Sequence, residues 1–299
     1  MCGIVGLFLK QEALEPSLGA WLEPMLVGMG ERGPDSAGFA IYRNVAPSGA
    51  IKLTLHHPKA GFDWETVAEG LGTEFVGRVD LTVRASHAVI VMSGGEAEAR
   101  AWLRQRHPDV RVTSAGAAIE IYKEKGQPRD VARDYGIRQM AGSHAVGHTR
   151  MATESAVTTE HSHPFSTGLD LCLVHNGSLS NHNRLRADLE RQGLTFETDN
   201  DSEVAAGYLA QRMAGGATLV EALESSLVDL DGFFTFAVGT RDGFAVLRDA
   251  IACKPAVLAE TDQWVAMASE YRSIAHLPGA RDARIWEPAP ATVYAWSRN

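Results

Sequence analysis

Cysteines are scarce in this chain: Cys2, Cys172 and Cys253 are the only three in 299 residues. They lie far apart and form no Cys-x-x-Cys pair. A sparse, odd set argues against a disulfide framework and against a zinc knuckle, and it favours a reducing compartment. We therefore predict a cytoplasmic protein.

Positive charge and long apolar runs are also lacking. Lysine and arginine number 28 against 37 aspartate and glutamate residues, which gives a formal net charge of −9. An acidic chain without a basic cluster is poorly suited to phosphate backbones, so we expect no nucleic-acid partner. The N-terminal apolar run is too short to span a bilayer and lacks the flanks of a signal peptide, so we expect no membrane association. No glycine-rich phosphate loop is present, and we expect no cofactor in this chain.

What is present is a mixture of short strands and amphipathic helices in a chain long enough for a sizeable core. The periodicity predicts strands at Cys2–Leu9, Gly38–Tyr42, Ser143–Thr149 and Leu171–His175, and helices at Pro16–Gly30, Asn181–Gln192, Ser202–Met213 and Leu219–Leu227. Pro24 is expected to bend or divide the first helix, and Asn181 to cap the second. The segment Arg241-Asp242-Gly243 indicates a hairpin.

The stretch from about residue 63 to residue 137 has apolar periodicity of its own. Ser86–Met92 has the length and composition of a strand, and Glu96–His107 has helical spacing. This pattern predicts a small α/β lobe inserted into a single domain that spans residues 1–299. Because the lobe lies outside the motifs described below, it is a candidate for contact with a partner.

Cys2 could act as a catalytic nucleophile because of its position in the chain. If Met1 is removed, the residue carries a thiol and a free α-amine, whose ordinary pKa is about 7.7–8.0, so the amine can serve as the base for its own nucleophile. Taken alone, a small buried apolar residue is the simpler interpretation.

Three polar clusters follow predicted strands or open a predicted helix. Arg150 offers a planar fork that suits a carboxylate, although a structural salt bridge is the commoner fate of one arginine. Asn176 and Gly177 could form an oxyanion hole, or an ordinary turn. Asp201, in the run Asp199–Glu203, could receive an ammonium group, or this run could simply cap the helix.

His161 and His163 suggest a metal site only weakly. No further cluster of ligands accompanies them, so a structural role is favoured and no metal is expected.

Taken together and in order, the motifs MCGIVG, RGPDSAG, GHTRMAT, HPF, HNG and DSE resemble those of the class II glutamine amidotransferases. The resemblance covers Cys2–Arg43 and the chain from about Gly142 onward, and it leaves out the predicted lobe. It implies an α+β fold, the four-layer αββα sandwich of the N-terminal nucleophile hydrolases. It also implies glutaminase activity through a γ-glutamyl thioester.

The resemblance assigns a role to each matching residue. Cys2 is the nucleophile, Asn176 and Gly177 form the oxyanion hole, Arg150 holds the substrate α-carboxylate, Asp201 holds the α-ammonium, Thr153 adds a hydrogen bond, and Arg32 supports the site. Met151 stands where many relatives carry an aromatic residue over the glutamine pocket. Since asparagine is one methylene shorter, it should not satisfy both clamps and reach the sulfur.

No acceptor domain is recognisable in the sequence, so the acceptor chemistry is expected on a partner. The segments GHTRMATESAVTT and HNGSLSNHN resemble the standalone amidotransferase subunit of glutamate-synthase-like complexes, including the corresponding subunit of N-methylglutamate synthase. That resemblance implies two partners, a β-helical subunit plus a flavin-containing synthase subunit. Two alternatives stay open: a non-catalytic subunit that binds glutamine or glutamate, and an N-terminal nucleophile hydrolase of another amide.

Overall fold

The computed structural model describes residues 2–151 and 157–298. The strands, numbered in chain order, are β1 (Gly3–Leu9), β2 (Ser36–Tyr42), β3 (Ala50–His56), β4 (Asp80–Arg84), β5 (His87–Ser93), β6 (Arg111–Gly116), β7 (Ile119–Lys125), β8 (His144–Arg150), β9 (Cys172–Leu179), β10 (Gly232–Thr240), β11 (Gly243–Arg248), β12 (Val257–Glu260), β13 (Trp264–Ala268), β14 (Arg284–Trp286) and β15 (Val293–Ser297). The α-helices are α1 (Leu18–Gly28), α2 (Trp64–Glu74), α3 (Glu96–Arg106), α4 (Pro128–Tyr135), α5 (His182–Arg191), α6 (Asp201–Ala214) and α7 (Leu219–Asp229). Short 3₁₀ turns lie at Glu12–Ser17, Ile137–Gln139, Tyr271–Ser273 and Ala280–Asp282.

Two antiparallel sheets form the centre of the molecule. The larger has the strand order β14-β12-β13-β1-β8-β2-β7, and the smaller has the order β15-β11-β10-β9. One apolar cluster fills the space between the two sheets, with residues from β1, β2, β9, β10 and β11. Stacked sheets bury their facing side chains in this way.

Alternation along β1 shows how one strand serves two layers. Ile4 and Phe8 belong to the cluster between the sheets, while Val5, Leu7 and Leu9 belong to the cluster on the opposite face. Side chains of a strand point alternately to its two faces, and here both faces are covered. A continuous apolar run, GIVGLFL, is therefore what this central strand requires.

Helices cover the outer faces of both sheets. α1 and α4 pack on the larger sheet, in a cluster that includes Leu22, Met25 and Val131. α6 and α7 pack on the smaller sheet, in a cluster that includes Val204, Leu209 and Leu223. The four layers are therefore helix, sheet, sheet and helix, and the predicted αββα fold is confirmed. None of the described helices has the length and apolar composition needed to cross a membrane.

Two details of the helix predictions differ in the structure. α1 continues through Pro24 and is not divided there. Asn181 occupies the N-cap position of α5, but its side chain makes no capping bond. It donates to the Asp229 carbonyl at 2.8 Å and accepts from the Asp231 N–H at 3.1 Å, so it joins α5 to the end of α7. The predicted hairpin joins β10 and β11, with Thr240 opposite Gly243.

A third sheet, in the order β4-β5-β3-β6, belongs to the inserted lobe. α2 and α3 pack on it through a separate apolar cluster that includes Trp64, Leu71 and Leu103. The lobe therefore begins at β3, before residue 63, and ends at β6, because β7 pairs with β2 in the larger sheet and α4 packs on that sheet. The predicted range of about 63–137 includes β7 and α4 since their apolar patterns do not show which sheet they join.

Asp170 fastens the junction between the lobe and the larger sheet. Its carboxylate accepts three backbone N–H bonds, from the two residues between β6 and β7 and from the first residue of β7: Ala117 at 2.7 Å, Ala118 at 2.8 Å and Ile119 at 3.0 Å. Asp170 is buried, so these N–H groups have no water to replace the carboxylate.

Asp170→Ala is expected to lower the free energy of unfolding by about 3 kcal/mol or more, because it leaves three N–H groups of a buried turn without an acceptor. Urea unfolding followed by circular dichroism measures the change. Asp80→Ala is the matched control, since Asp80 pairs with Arg78 on an exposed strand, and its cost should stay within about 0.5 kcal/mol. Equal costs for the two variants would contradict the role given to Asp170.

Candidate functional site

Strand register places Cys2 beside the end of β8. β1 and β8 are antiparallel, with Gly3 opposite Thr149, so Cys2 lies next to Arg150 and Met151. Its Sγ atom is 3.9 Å from the Met151 carbonyl oxygen. Cys2 is partly exposed and Met151 is 40% exposed.

The turn at Arg32 to Ser36 brings an arginine to the same point. A Cβ atom on Gly33 would lie 2.4 Å from the backbone carbon of Thr149, so only glycine allows this approach. Arg32 Nε donates to the Cys2 carbonyl oxygen at 3.0 Å, and Arg32 Nη1 donates to Glu270 at 2.6 Å. Arg32 therefore holds the backbone of Cys2.

Glu270 is part of the site although no role was inferred for it from the sequence. Its hydrogen bond from Arg32 lowers the pKa of its carboxyl group, and the charges of Arg272 and Arg32 lower it further. The segment Ala268-Ser269-Glu270 belongs to the resemblance, but only the pairing of β13 with β1 shows what Glu270 reaches. Ser269 secures that pairing, since its Oγ accepts from the Ile4 N–H at 2.9 Å.

Asn176 and Gly177 lie in β9, in the other sheet. Asn176 Nδ2 donates across to the Cys2 carbonyl oxygen at 3.3 Å, and its side chain is buried. An amide has two N–H donors, so the second can serve a ligand. A Cβ atom on Gly177 would lie 2.0 Å from the Phe233 carbonyl oxygen, which excludes every other residue there.

Arg150 closes β8 and is buried, with its strand position opposite Ser36 of β2. Its carbonyl oxygen accepts the Asp35 N–H at 3.0 Å, which ties the Arg32 turn to this strand end. Thr153, predicted to bond the substrate, lies outside the described residues, as does Met1.

Asp201 is the first residue of α6, and its side chain is hydrogen-bonded to β9. Its Oδ2 atom accepts the Leu179 N–H at 2.9 Å. Burial alone would raise its pKa, but the adjacent His175 imidazole, the Leu179 N–H and the Ser202 hydroxyl lower it to about 2. Capping of α6 falls instead to Asn200, whose side chain accepts the Ser202 N–H at 2.9 Å. The capping interpretation of this cluster therefore applies to Asn200 and not to Asp201.

Ser202 joins Asp201 to two buried imidazoles. Its Oγ atom is 2.9 Å from His163 Nε2, 2.9 Å from His175 Nδ1 and 3.2 Å from Asp201 Oδ1. A hydroxyl has one proton, so donation to the carboxylate requires each imidazole to donate from the nitrogen that faces Ser202. Burial also lowers the pKa of His163 well below its ordinary value, which keeps that ring neutral. Neither Ser202 nor His175 was assigned a role from the sequence.

The predicted site residues that the structure describes fall into a connected set. Arg32 and Asn176 both donate hydrogen bonds to the Cys2 carbonyl oxygen. Strand pairing places Arg150 and Met151 beside Cys2. Asp201 is hydrogen-bonded to β9, the strand that carries Asn176 and Gly177. His161 and His163 have different partners. His161 Nε2 lies 3.0 Å from Asp199, and His163 Nε2 is hydrogen-bonded to Ser202. Among the residues described, no group of three or more His, Cys, Asp or Glu side chains could hold a metal ion.

Comparisons with known proteins identify the family to which the chain is similar. Residues 148–276 match the family described as "Glutamine amidotransferase domain". The chain is 56% identical to the glutamine amidotransferase-like protein GlxB of Rhizobium meliloti, over 99% of this chain and 98% of that protein. It is 33% identical to an amidophosphoribosyltransferase of Synechocystis, over 53% of this chain and 33% of that protein.

A solved structure of the glutamine phosphoribosylpyrophosphate amidotransferase from B. subtilis superposes with a TM-score of 0.62 at 19% identity. The match covers 99% of this chain and 47% of that one. At this identity the likeness concerns the fold.

The Asp201 pKa of about 2 lies below the ordinary aspartate value of about 3.9, so its ionised form stabilises the native state above about pH 4. That contribution is lost as the pH falls through about 4 toward 2. The difference in unfolding free energy between wild type and Asp201→Asn should therefore be about 1 kcal/mol smaller at pH 3 than at pH 6.

Urea titrations at the two pH values measure this difference. Asp262→Asn is the matched control, because Asp262 is exposed and its side chain makes no ion pair or hydrogen bond among the described residues, so its removal should cost about the same at both pH values. A difference for Asp201→Asn that does not change with pH would contradict the depressed pKa.

Proposed function

Because the chain belongs to the class II glutamine amidotransferase family, we propose that it hydrolyses the side-chain amide of glutamine and supplies the ammonia to a partner synthase. The observation that carries the proposal is the pair of donors on the Cys2 carbonyl, Arg32 Nε and Asn176 Nδ2, which fix the residue that carries the thiol.

In the proposed reaction the Cys2 thiolate attacks the amide carbon of glutamine and a carbon–sulfur bond forms. The carbonyl oxygen becomes an oxyanion, which the second N–H of Asn176 and the backbone N–H of Gly177 stabilise. The carbon–nitrogen bond then breaks and ammonia leaves with a proton from the α-amine of Cys2. Water cleaves the γ-glutamyl thioester to glutamate and restores the thiol.

The proton of the thiol needs an acceptor near neutral pH. The α-amine of Cys2, once Met1 is removed, has an ordinary pKa of about 7.7–8.0 and lies on the same residue. Proximity within one residue replaces the imidazole that many cysteine hydrolases use. Removal of Met1 is therefore part of the proposal.

Two charged side chains are proposed to select a free amino acid. Arg150 would pair with the α-carboxylate of glutamine and Asp201 with its α-ammonium group. The low pKa of Asp201 keeps its carboxyl group ionised at any physiological pH, so a negative charge is always available to pair with the substrate ammonium group. Met151 is proposed to cover the pocket, and Thr153 to add one hydrogen bond.

For the acceptor we propose a glutamate-synthase-like or N-methylglutamate synthase complex, with a β-helical subunit plus a flavin-containing synthase subunit. Support comes from the match to GlxB over 98% of its length, whereas the amidophosphoribosyltransferase of Synechocystis shares only 33% of its own length with this chain. On this proposal the partner subunits carry the acceptor chemistry.

Ammonia release from glutamine should occur with the wild-type chain and vanish in Cys2→Ala, because no other side chain carries the nucleophile. Intact-mass measurement should show the purified chain lighter by one methionine residue. Cys253→Ala is the matched control, since Cys253 is an exposed free cysteine and its loss should leave ammonia release unchanged. Retained Met1 with no ammonia, even with partner subunits supplied, would favour a non-catalytic glutamine-binding subunit.

Asp201→Asn should raise the KM for glutamine roughly tenfold or more, because a charge-assisted bond to the substrate ammonium contributes about 1.5–3 kcal/mol. Steady-state kinetics on wild type, Asp201→Asn and Asp199→Asn test this, and Asp199→Asn should leave KM unchanged. Asparagine should be a poor substrate for all three. Comparable turnover of asparagine or of an acyl-amide by wild type would point to a different amide substrate.

A further inference from the structure

A cavity of about 540 Å³ lies between the inserted lobe and the rest of the molecule. α3 and β6 line it on the lobe side, and residues 159–160, 165–168 and 193–198 and α6 line it on the other side. Cys2, Asn176 and Asp201 are not among the lining residues. Pockets for small molecules typically measure about 300–1,000 Å³ and often lie between two structural units.

Three carboxylates that line the cavity are already paired. Glu96 accepts from Arg100 Nε at 2.7 Å, and Arg100 Nη1 lies 3.9 Å from Glu197 on the opposite wall. Glu203 accepts the backbone N–H of Glu197 and that of Thr198, each at 2.8 Å. Glu96 and Glu203 are therefore engaged within the protein, whereas Glu197 has only this long ion pair.

The ionised form of the fourth carboxylate, Glu160, is also stabilised by its surroundings. Burial acts to raise its pKa, but its own backbone N–H, Thr158, and the charges of His56 and Arg111 lower it overall. The nearby ammonium group of Lys123 donates instead to backbone carbonyls, those of Glu160 at 3.2 Å and Ser162 at 2.9 Å.

Several donors around the same cavity have no such partner. Arg104 and Arg111 have no carboxylate within 4.0 Å among the described residues, although Arg111 acts on Glu160 at longer range. The hydroxyl oxygens of Ser166 and Thr167 and Nε2 of His56 are buried without a hydrogen-bond partner in the described chain. Buried polar groups are seldom left without a hydrogen-bond partner. We therefore expect a ligand in this cavity that accepts hydrogen bonds from these groups.

We propose that this cavity binds a small molecule that carries a carboxylate or phosphate group. Arg104 and Arg111 supply the positive charge, and the hydroxyls of Ser166 and Thr167 supply neutral hydrogen bonds. Guanidinium groups suit both kinds of oxyanion, because their planar N–H donors match the spacing of the oxygens. The volume leaves room for a metabolite larger than the anionic group itself. This binding site is separate from the proposed glutaminase activity and does not depend on it.

The test is isothermal titration of the full chain with inorganic phosphate and, separately, with glutarate. At least one of the two should bind, and the tighter one identifies the class of oxyanion. The double variant Arg104→Gln/Arg111→Gln should weaken that binding roughly tenfold or more, because bonds to charged groups are the strong ones. Arg106→Gln is the matched control: Arg106 is exposed on the same helix, does not line the cavity and should have no effect.

Two further measurements keep the result decisive. Circular dichroism of the double variant should match wild type, since both arginines are exposed on the lobe. Ser166→Ala is expected to weaken binding by a smaller factor than the loss of the arginines. No binding of either anion by wild type at about 10 mM, or equal weakening by Arg106→Gln, would overturn the proposal. So would glutarate binding that survives in the double variant and is lost in Arg150→Gln, since it would lie at the glutamine site.

Discussion

The site depends on one backbone oxygen, the carbonyl of Cys2, which accepts hydrogen bonds from Arg32 at 3.0 Å and Asn176 at 3.3 Å. A residue just ahead of a strand is prone to fray unless something ties it down. Here the two donors come from different parts of the fold, a turn after α1 and a strand of the other sheet. Arg32 is itself held by Glu270 at 2.6 Å. The position of the thiol is thus set by three distant segments, and a shift in any of them moves it.

Close backbone approach makes that convergence possible. A Cβ atom on Gly3 would lie 2.8 Å from Met29 Cβ and 2.8 Å from Thr149 Oγ1. Gly33 meets the backbone of the Thr149 segment from the other side, where a Cβ atom would lie 2.4 Å from its carbonyl carbon. Any larger side chain at either position would push β1 or the Arg32 turn away from the end of β8. The glycines that flank Cys2 and Arg32 in the sequence are therefore structural requirements of the site.

The fold class and much of the site could be predicted from the sequence, because short motifs determine local chemistry and strand pairing brings their ends together. Cys2 and Asn176 were predicted from such motifs, and they meet. Ser202 and Glu270 received no role, since neither has a recognisable chemical signature: their importance lies in which atoms they face. The lobe boundaries were displaced for a related reason. β7 has a strand pattern that fits either sheet, and only its pairing with β2 decides between them.

The contacts between the lobe and the rest of the molecule differ in strength at the two edges of the cavity. At the junction of β6 and β7 the buried Asp170 carboxylate accepts three N–H bonds of 2.7–3.0 Å, which makes that end rigid. Across the cavity, the ion pair between Arg100 and Glu197 spans 3.9 Å, and its side chains are 23% and 46% exposed. Partly exposed pairs contribute at most about 1 kcal/mol. The cavity is therefore bounded at one edge by three short hydrogen bonds to a buried carboxylate and at the other by a weak ion pair between partly exposed side chains.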